Sequence, residues 1–188
     1  LISPAIDLPG VAGDEVLLLR FWQWYAYEYG DQGDVQISVW DGSAWGQWEV
    51  VETPAPSSSS SGWSRVSVDL SAYAGQRVRI GFYHSESVSG ESVGWYIDEV
   101  EIWKGVPSLP SLEGFEAGWG DWYTDHGVWE IGQPTAGPDG AHEGVNVAGT
   151  VLGGDYPDET DSRLISPAID LPGVAGDEVL LLRFWQWY

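Results

Sequence analysis

Four acids stand within seven residues of the segment GGDYPDETDS, namely Asp155, Asp158, Glu159 and Asp161, with no base among them. Carboxylates at that density are the oxygen donors that calcium prefers. Their spacing is not that of an EF-hand loop, and a solvated acidic loop accounts for them equally. Asp98 poses a different question. In the run GWYIDEVEIW, strand alternation puts it on one face with Tyr96, Val100 and Ile102, where a core is expected. A buried carboxylate needs a cation, a metal or several hydrogen-bond donors. The alternatives are an arginine partner, or a bulge that turns the residue outward. Asp31 and Asp34, either side of Gly33, read as a turn. Among the aromatics, Trp45, Trp48, Trp119 and Trp122 lie near turns, where ring faces could stack on sugars. Trp22, Trp24 and Trp95 read as core instead, and in a repeat protein exposed rings can pack on a neighbouring module.

No constellation points to catalysis. His84, His126 and His142 are scattered, and His142-Glu143-Gly144 lacks the second histidine of a zinc-peptidase HExxH. A glycosidase needs two placed carboxylates, but with 29 acids in the chain no pair singles itself out. No enzyme is expected. The net charge is −22, with Lys104 the only lysine, which argues against nucleic acid and against an anionic membrane surface. No apolar run is long enough for membrane insertion. Negative charge at this level is either neutralised by bound calcium or spread over a solvated surface. The absence of cysteine excludes disulfides and thiolate metal sites, and the absence of methionine as well suits an oxidising, extracellular setting.

The elements that would position these residues are β-strands. Short runs rich in Val, Ile, Trp and Tyr alternate with Gly and Pro turns, and no long helical period appears. The run 17–29 (LLLRFWQWYAYEY) is apolar on both faces, with Leu17, Leu19, Phe21, Tyr25, Tyr27 and Tyr29 on one, which places it centrally in a sandwich sheet. Val35, Ile37 and Val39 form a second strand, turned at Asp41-Gly42 into GQWEVV. Residues 53–62 (TPAPSSSSSG) read as a flexible surface loop whose serines, Ser57–Ser61, are candidates for O-glycans. WSRVSVDL, QRVRIGFYH and GWYIDEVEIW supply further strands, with Arg77 and Arg79 pointing outward toward acids. Short strands are expected near Leu112–Glu116 and Val128–Ile131.

One stretch occurs twice. Leu1–Tyr25 (LISPAIDLPGVAGDEVLLLRFWQWY) and Leu164–Tyr188 are identical, 163 residues apart. Such a duplication marks one period of a tandem repeat. Residues 1–105 then read as the C-terminal part of one repeat, 106–111 as a Pro-containing linker, and 112–188 as the N-terminal part of the next. One period has one position for the 25-residue segment, so the other copy dangles or fills the same position in a neighbour. Complementation between units would place both copies in equivalent sheets; a copy packed outside any sheet would count against it.

In repeat order the unit begins with Phe115-Glu116, continues through SPAIDL, the acidic turn DQGDV and VDLSAYAG, and closes on GWYIDEV. This layout resembles the MAM-like jelly-roll modules of large secreted bacterial proteins, and is similar to the C-terminal module of immune inhibitor A-type metallopeptidases. The resemblance spans essentially the whole period. It implies an all-β, two-sheet antiparallel sandwich of jelly-roll type, secreted or at the cell surface. It also implies a structural calcium held by the carboxylates of Glu116 and Asp98, with backbone carbonyls completing the shell. The expected function is a non-enzymatic structural repeat of a filament, stalk or adhesin, with copies of itself as head-to-tail partners. The alternatives are a carbohydrate-binding module for extracellular polysaccharide, or an accessory domain of a secreted hydrolase.

Overall fold

A computed structural model describes the chain except for Ser61 and residues 87–90 and 109–111. The last serine of the expected glycan loop and half of the expected linker therefore lie outside the described residues. The described chain is all β apart from one 3-10 turn at Ser71–Tyr73, and no described helix is long and apolar enough to cross a membrane.

Two antiparallel sheets enclose the core. The first contains β1 (Ile6–Asp7), β3 (Gln32–Val39), β4 (Glu49–Ala55) and β6 (Arg77–Ser85) in the order β1-β6-β3-β4. The second contains β2 (Val16–Ala26), β5 (Ser64–Asp69) and β7 (Gly94–Gly105) in the order β5-β2-β7. Leu17, Leu19 and Phe21 of β2, with Val66 and Val68 of β5, meet Val35 and Ile37 of β3 and Val78 and Ile80 of β6 in one buried cluster. Alternation produces this: each strand sends every second side chain inward, so the two apolar faces close on one another as a β-sandwich. The central strand is β2, as its two apolar faces predict. Its inward set is Leu17, Leu19, Phe21, Gln23 and Tyr25, while Leu18, Trp22 and Trp24 are half-buried on the other face. Trp22 and Trp24 thus belong to the outer face of the sheet rather than the interior. Trp95 does reach the core, and lies so close to Gly33 that a Cβ there would sit 2.6 Å from its ring, so β3 needs glycine at that position.

Three other expectations change. The serine segment is not a free loop. Thr53–Ala55 continue β4, and Ser60 is buried, its hydroxyl accepting the Tyr25 amide at 2.9 Å, while Ser57 donates to the Asp31 carbonyl at 2.7 Å. The reason is the end of β2, whose backbone groups beyond the sheet need partners that the serines supply. Leu112–Glu116 form no strand, because Phe115 is at φ 58°, a left-handed conformation that extended chain cannot contain. Arg77 does face an acid, with Asp7 at 3.7 Å, whereas Arg79 lies over the Trp45 ring at 4.2 Å.

After β7 the described residues form only short pairings: β8 (Tyr123–Thr124) with β11 (Leu164–Ile165), and β9 (Trp129–Gly132) with β10 (Val147–Thr150). β9 coincides with the strand expected at Val128–Ile131. The two copies of the duplicated segment have different fates. In the first, Leu1–Asp7 line β6 and the residues from Val16 to Tyr25 fill the position between β5 and β7, so it contributes to both sheets. In the second, nothing after Ile165 is in a strand. Leu19 and Phe21 are 0% and 1% exposed; their counterparts Leu182 and Phe184 are 88% and 70% exposed. The copies do not occupy equivalent sheets, and complementation as the standing state of this chain is dropped.

Candidate binding face

The outer face of the β5-β2-β7 sheet gathers the unusual chemistry of the molecule. Arg20 projects there from mid-β2. It is nearly fully buried, with its guanidinium 4.0 Å from the centre of the Trp103 ring and 2.7 Å from the Asp121 carboxylate. Arg65, beside it on β5, donates to the carbonyl of Gly120 at 2.6 Å and to that of Trp122 at 3.3 Å. Burial, followed by the like charge of Arg20, lowers the Arg65 pKa below its ordinary value. Trp119 meets Trp22 edge-on at 5.6 Å. The segment from Trp119 to Trp122 is thus pinned onto the sheet through both arginines.

Next to this lid the face stays open. Trp22, Trp63, Asp98 and Glu99 line a groove of about 330 Å³, and Trp24 and Tyr96 pair edge-on beside Trp22 at 5.7 Å. The carboxylates reach it through a fault in β7. Pairing of β2 with β7 shifts between Arg20 and Trp22, and Glu99 sits at φ 49°. This bulge reverses the alternation: Trp95 and Ile97 pack inward before it and Ile102 after it, while Asp98 and Val100 turn out. Asp98 is exposed and accepts the Glu99 amide at 2.8 Å, so the expectation of a carboxylate on the core face is corrected, and of the alternatives left open by the sequence the bulge that turns it outward is the one observed. Apolar ring faces beside carboxylate acceptors are the elements by which a protein holds a polyhydroxylated ligand.

A second cleft of about 290 Å³ lies at the far end of the sandwich, lined by Tyr27, Asp31, His84, Glu86, Glu91, Ser92 and Gly94. Burial, reinforced by the charges of Asp31 and Asp34, pushes the Tyr27 phenol up to about 12. Its oxygen lies 3.1 Å from His84 Nδ1, and the two rings stack at 5.4 Å. Only part of the expected turn is a turn, closed by the Asp31 amide on the Glu28 carbonyl at 3.1 Å; Asp34 is in β3, nearly fully buried, taking hydrogen bonds from Gln32 and Thr53.

The remaining sequence candidates do not converge. Glu116 is exposed and accepts the amides of Val145 and Asn146, each at 2.9 Å; these donors hold its carboxyl below the usual carboxylate range. Asp155, Asp158 and Asp161 are exposed on a loop, with the Asp161 carbonyl 2.6 Å from His126 Nδ1. Among the described residues, no group of three or more Asp, Glu or His side chains is arranged to hold a metal ion. The tryptophans divide between two faces. Trp45 packs on Trp40 at 5.4 Å and Trp48 lies against Gly81, both over β6. Trp122 meets Phe115 at 5.5 Å and donates to Glu113 at 3.2 Å, near Trp119. The groove residues Trp22, Trp63 and Glu99 were not candidates from sequence. Trp22 carried a signal, since it alternates out of phase with Leu19 and Phe21, but the bulge that brings Asp98 and Glu99 beside it carried none. Compared with known protein families, curated proteins and solved structures, the chain matches none.

Proposed function

We propose that this chain is a non-enzymatic structural repeat module of an extracellular filament, stalk or adhesin, of MAM-like jelly-roll type, with units joined end to end. The observation that carries the reading is the exact recurrence of 25 residues after 163. Identical units that share one head-to-tail contact build an open linear assembly where the rotation between them does not close a ring. The jelly-roll assignment draws support from the path of the chain, which crosses between sheets at β1–β2, β2–β3, β4–β5, β5–β6 and β6–β7. Calcium belongs to this reading through the net charge and the resemblance. Among the described residues no group of three or more Asp, Glu or His side chains forms a shell for it, and an unchanged melting temperature after EGTA at low salt removes it. Sedimentation velocity over a concentration series tests the module itself. Growth into elongated species is expected; a monomer at every concentration overturns the reading.

A second reading, a carbohydrate-binding module, is favoured by the groove of Trp22, Trp63, Asp98 and Glu99. A glycan array followed by calorimetry tests it. Binding that Trp63→Ala abolishes while the fold persists supports this reading; an array without a hit removes it.

A further inference from the structure

We infer that the groove beside Trp22 and Trp63 takes a polysaccharide bearing protonated amines, a polymer of glucosamine type, with its pyranose rings on the tryptophans and its ammonium groups on Asp98 and Glu99. The inference rests on the second reading above, the carbohydrate-binding module, and names the class of sugar. Glycans come neutral, anionic and cationic, and the chemistry of the groove walls chooses between them.

Three observations make the choice. First, the walls mostly accept. Trp22, Trp63, Asp98 and Glu99 line the groove, with no hydroxyl, amide or cationic side chain among them. An ionised carboxylate only accepts hydrogen bonds, and the face of an indole ring is electronegative. A sugar hydroxyl both donates and accepts, so it finds partners here for its proton and little for its lone pairs. An ammonium group donates three times and accepts nothing, and it is also attracted to ring faces. Second, the two carboxylates are left over after the cations of this face are taken. Arg20 is held by Asp121 at 2.7 Å, and Arg65 faces Glu101 at 3.8 Å while donating to two backbone carbonyls. Among the described residues neither Asp98 nor Glu99 has a salt bridge, and the one hydrogen bond to either carboxylate comes from the Glu99 amide to Asp98. Third, the fold places them together beside a ring. Asp98 is the register partner of Trp22, and the bulge at Glu99 brings two consecutive acids to one groove, which unbroken alternation does not allow.

The platform is longer than one sugar. Trp24 stands two residues along β2 from Trp22, about 7 Å away, and pairs with the exposed Tyr96 at 5.7 Å. A polymer can therefore lie across the rings with an amine at the acids. The chain as a whole, with 29 acids against 7 bases, draws such a polymer in and repels uronate or sulfated ones. Acetylation of the amines removes the charge that the groove reads.

Calorimetry on the full chain at low ionic strength tests this, at about pH 5.5, above the ordinary carboxylate range and below that of an amine. The probes are the β-1,4-linked hexamers of glucosamine, N-acetylglucosamine and glucose, which differ only in the substituent at C2. The glucosamine hexamer should bind at least about tenfold more tightly than either neutral one, as charge-assisted hydrogen bonds to an ammonium require. The gap should narrow in 1 M salt. Since any polycation is drawn to a chain of net charge −22, two variants locate the binding, with circular dichroism checking each fold. Asp98→Asn combined with Glu99→Gln removes two of the 29 acids and keeps an oxygen at residue 98 for the backbone amide that follows. It should bring the glucosamine hexamer down to the affinity of the neutral ones. Trp63→Ala should abolish binding of all three. Equal binding of the three hexamers, lost with Trp63→Ala, overturns the inference and leaves the carbohydrate reading in place. A glucosamine preference unmoved by the double variant puts the attraction elsewhere on the chain and overturns the inference as well. No binding of any hexamer sinks both.

Discussion

The two copies of the 25-residue segment are a controlled comparison within one molecule: the sequence is constant and only the surroundings differ. What survives in both is the turn, with the same Glu-to-amide hydrogen bond and the same left-handed glycine. What differs is the pairing on either side of it. Val16–Ala26 is a strand with partners on both sides, and its counterpart from Val179 on is not. The turn is encoded by residues within reach of one another, since Gly supplies the positive φ and Glu the acceptor. The strand is encoded by β5 and β7. Its apolar alternation specifies a face to bury and cannot supply the neighbour that buries it.

Paired substitutions test how complete that asymmetry is. The largest effect is expected at the core: Leu19→Ala should lower unfolding free energy by about 2–5 kcal/mol, through lost burial and a cavity. Leu182→Ala should change it by no more than about 0.5 kcal/mol in the same urea titration. Arg20→Ala removes the guanidinium between Trp103 and Asp121 and leaves that carboxylate without its partner against the sheet, at a cost of about 1–3 kcal/mol. Arg183→Ala should be silent; an effect of similar size would mean that the second copy is already docked. The next contrast is alkaline. Burial, then the charges of Asp125 and Asp161, raises the Tyr25 phenol above its ordinary value, so the folded state favours the neutral form. That contribution is intact below the unfolded phenol pKa of about 10 and is lost as pH rises through the raised value. Tyr25→Phe should therefore flatten the alkaline end of the stability–pH curve, and Tyr188→Phe should not. Smallest is the turn itself. Glu15 carries a 2.9 Å pair with Lys104 that is absent from the hydrogen bonds of Glu178. Glu15→Ala should destabilise slightly more than Glu178→Ala, and the difference should vanish in 1 M salt.

The same contrast explains how much could be read in advance. The sandwich was legible because Val35, Ile37, Val78 and Ile80 alternate cleanly and β2 is apolar on both faces. The Asp98 environment was not. Strict alternation placed it inward, and one extra residue near Glu99 inverted that parity; the bulge depends on how β7 pairs with β2 and leaves no local mark. Phe115 failed for a related reason, because its left-handed conformation follows from Glu113 accepting its amide rather than from its own type. The candidate face suffered most. Its groove is assembled from Trp22, Trp63 and the β7 bulge, which are distant in sequence and meet only when the sheet forms.

The serine tract that fastens the end of β2 has a consequence for how such a gene can change. A run of one residue type can slip by a unit when a residue is inserted or lost. In a mixed sequence such a slip would carry the hydroxyl that meets the Tyr25 amide out of reach. Within Ser57–Ser60 it brings another hydroxyl to the same place, and only the short connection to Ser64 must absorb the change in length. Monotony in this stretch is a form of error tolerance, joined directly to the central strand of the three-stranded sheet.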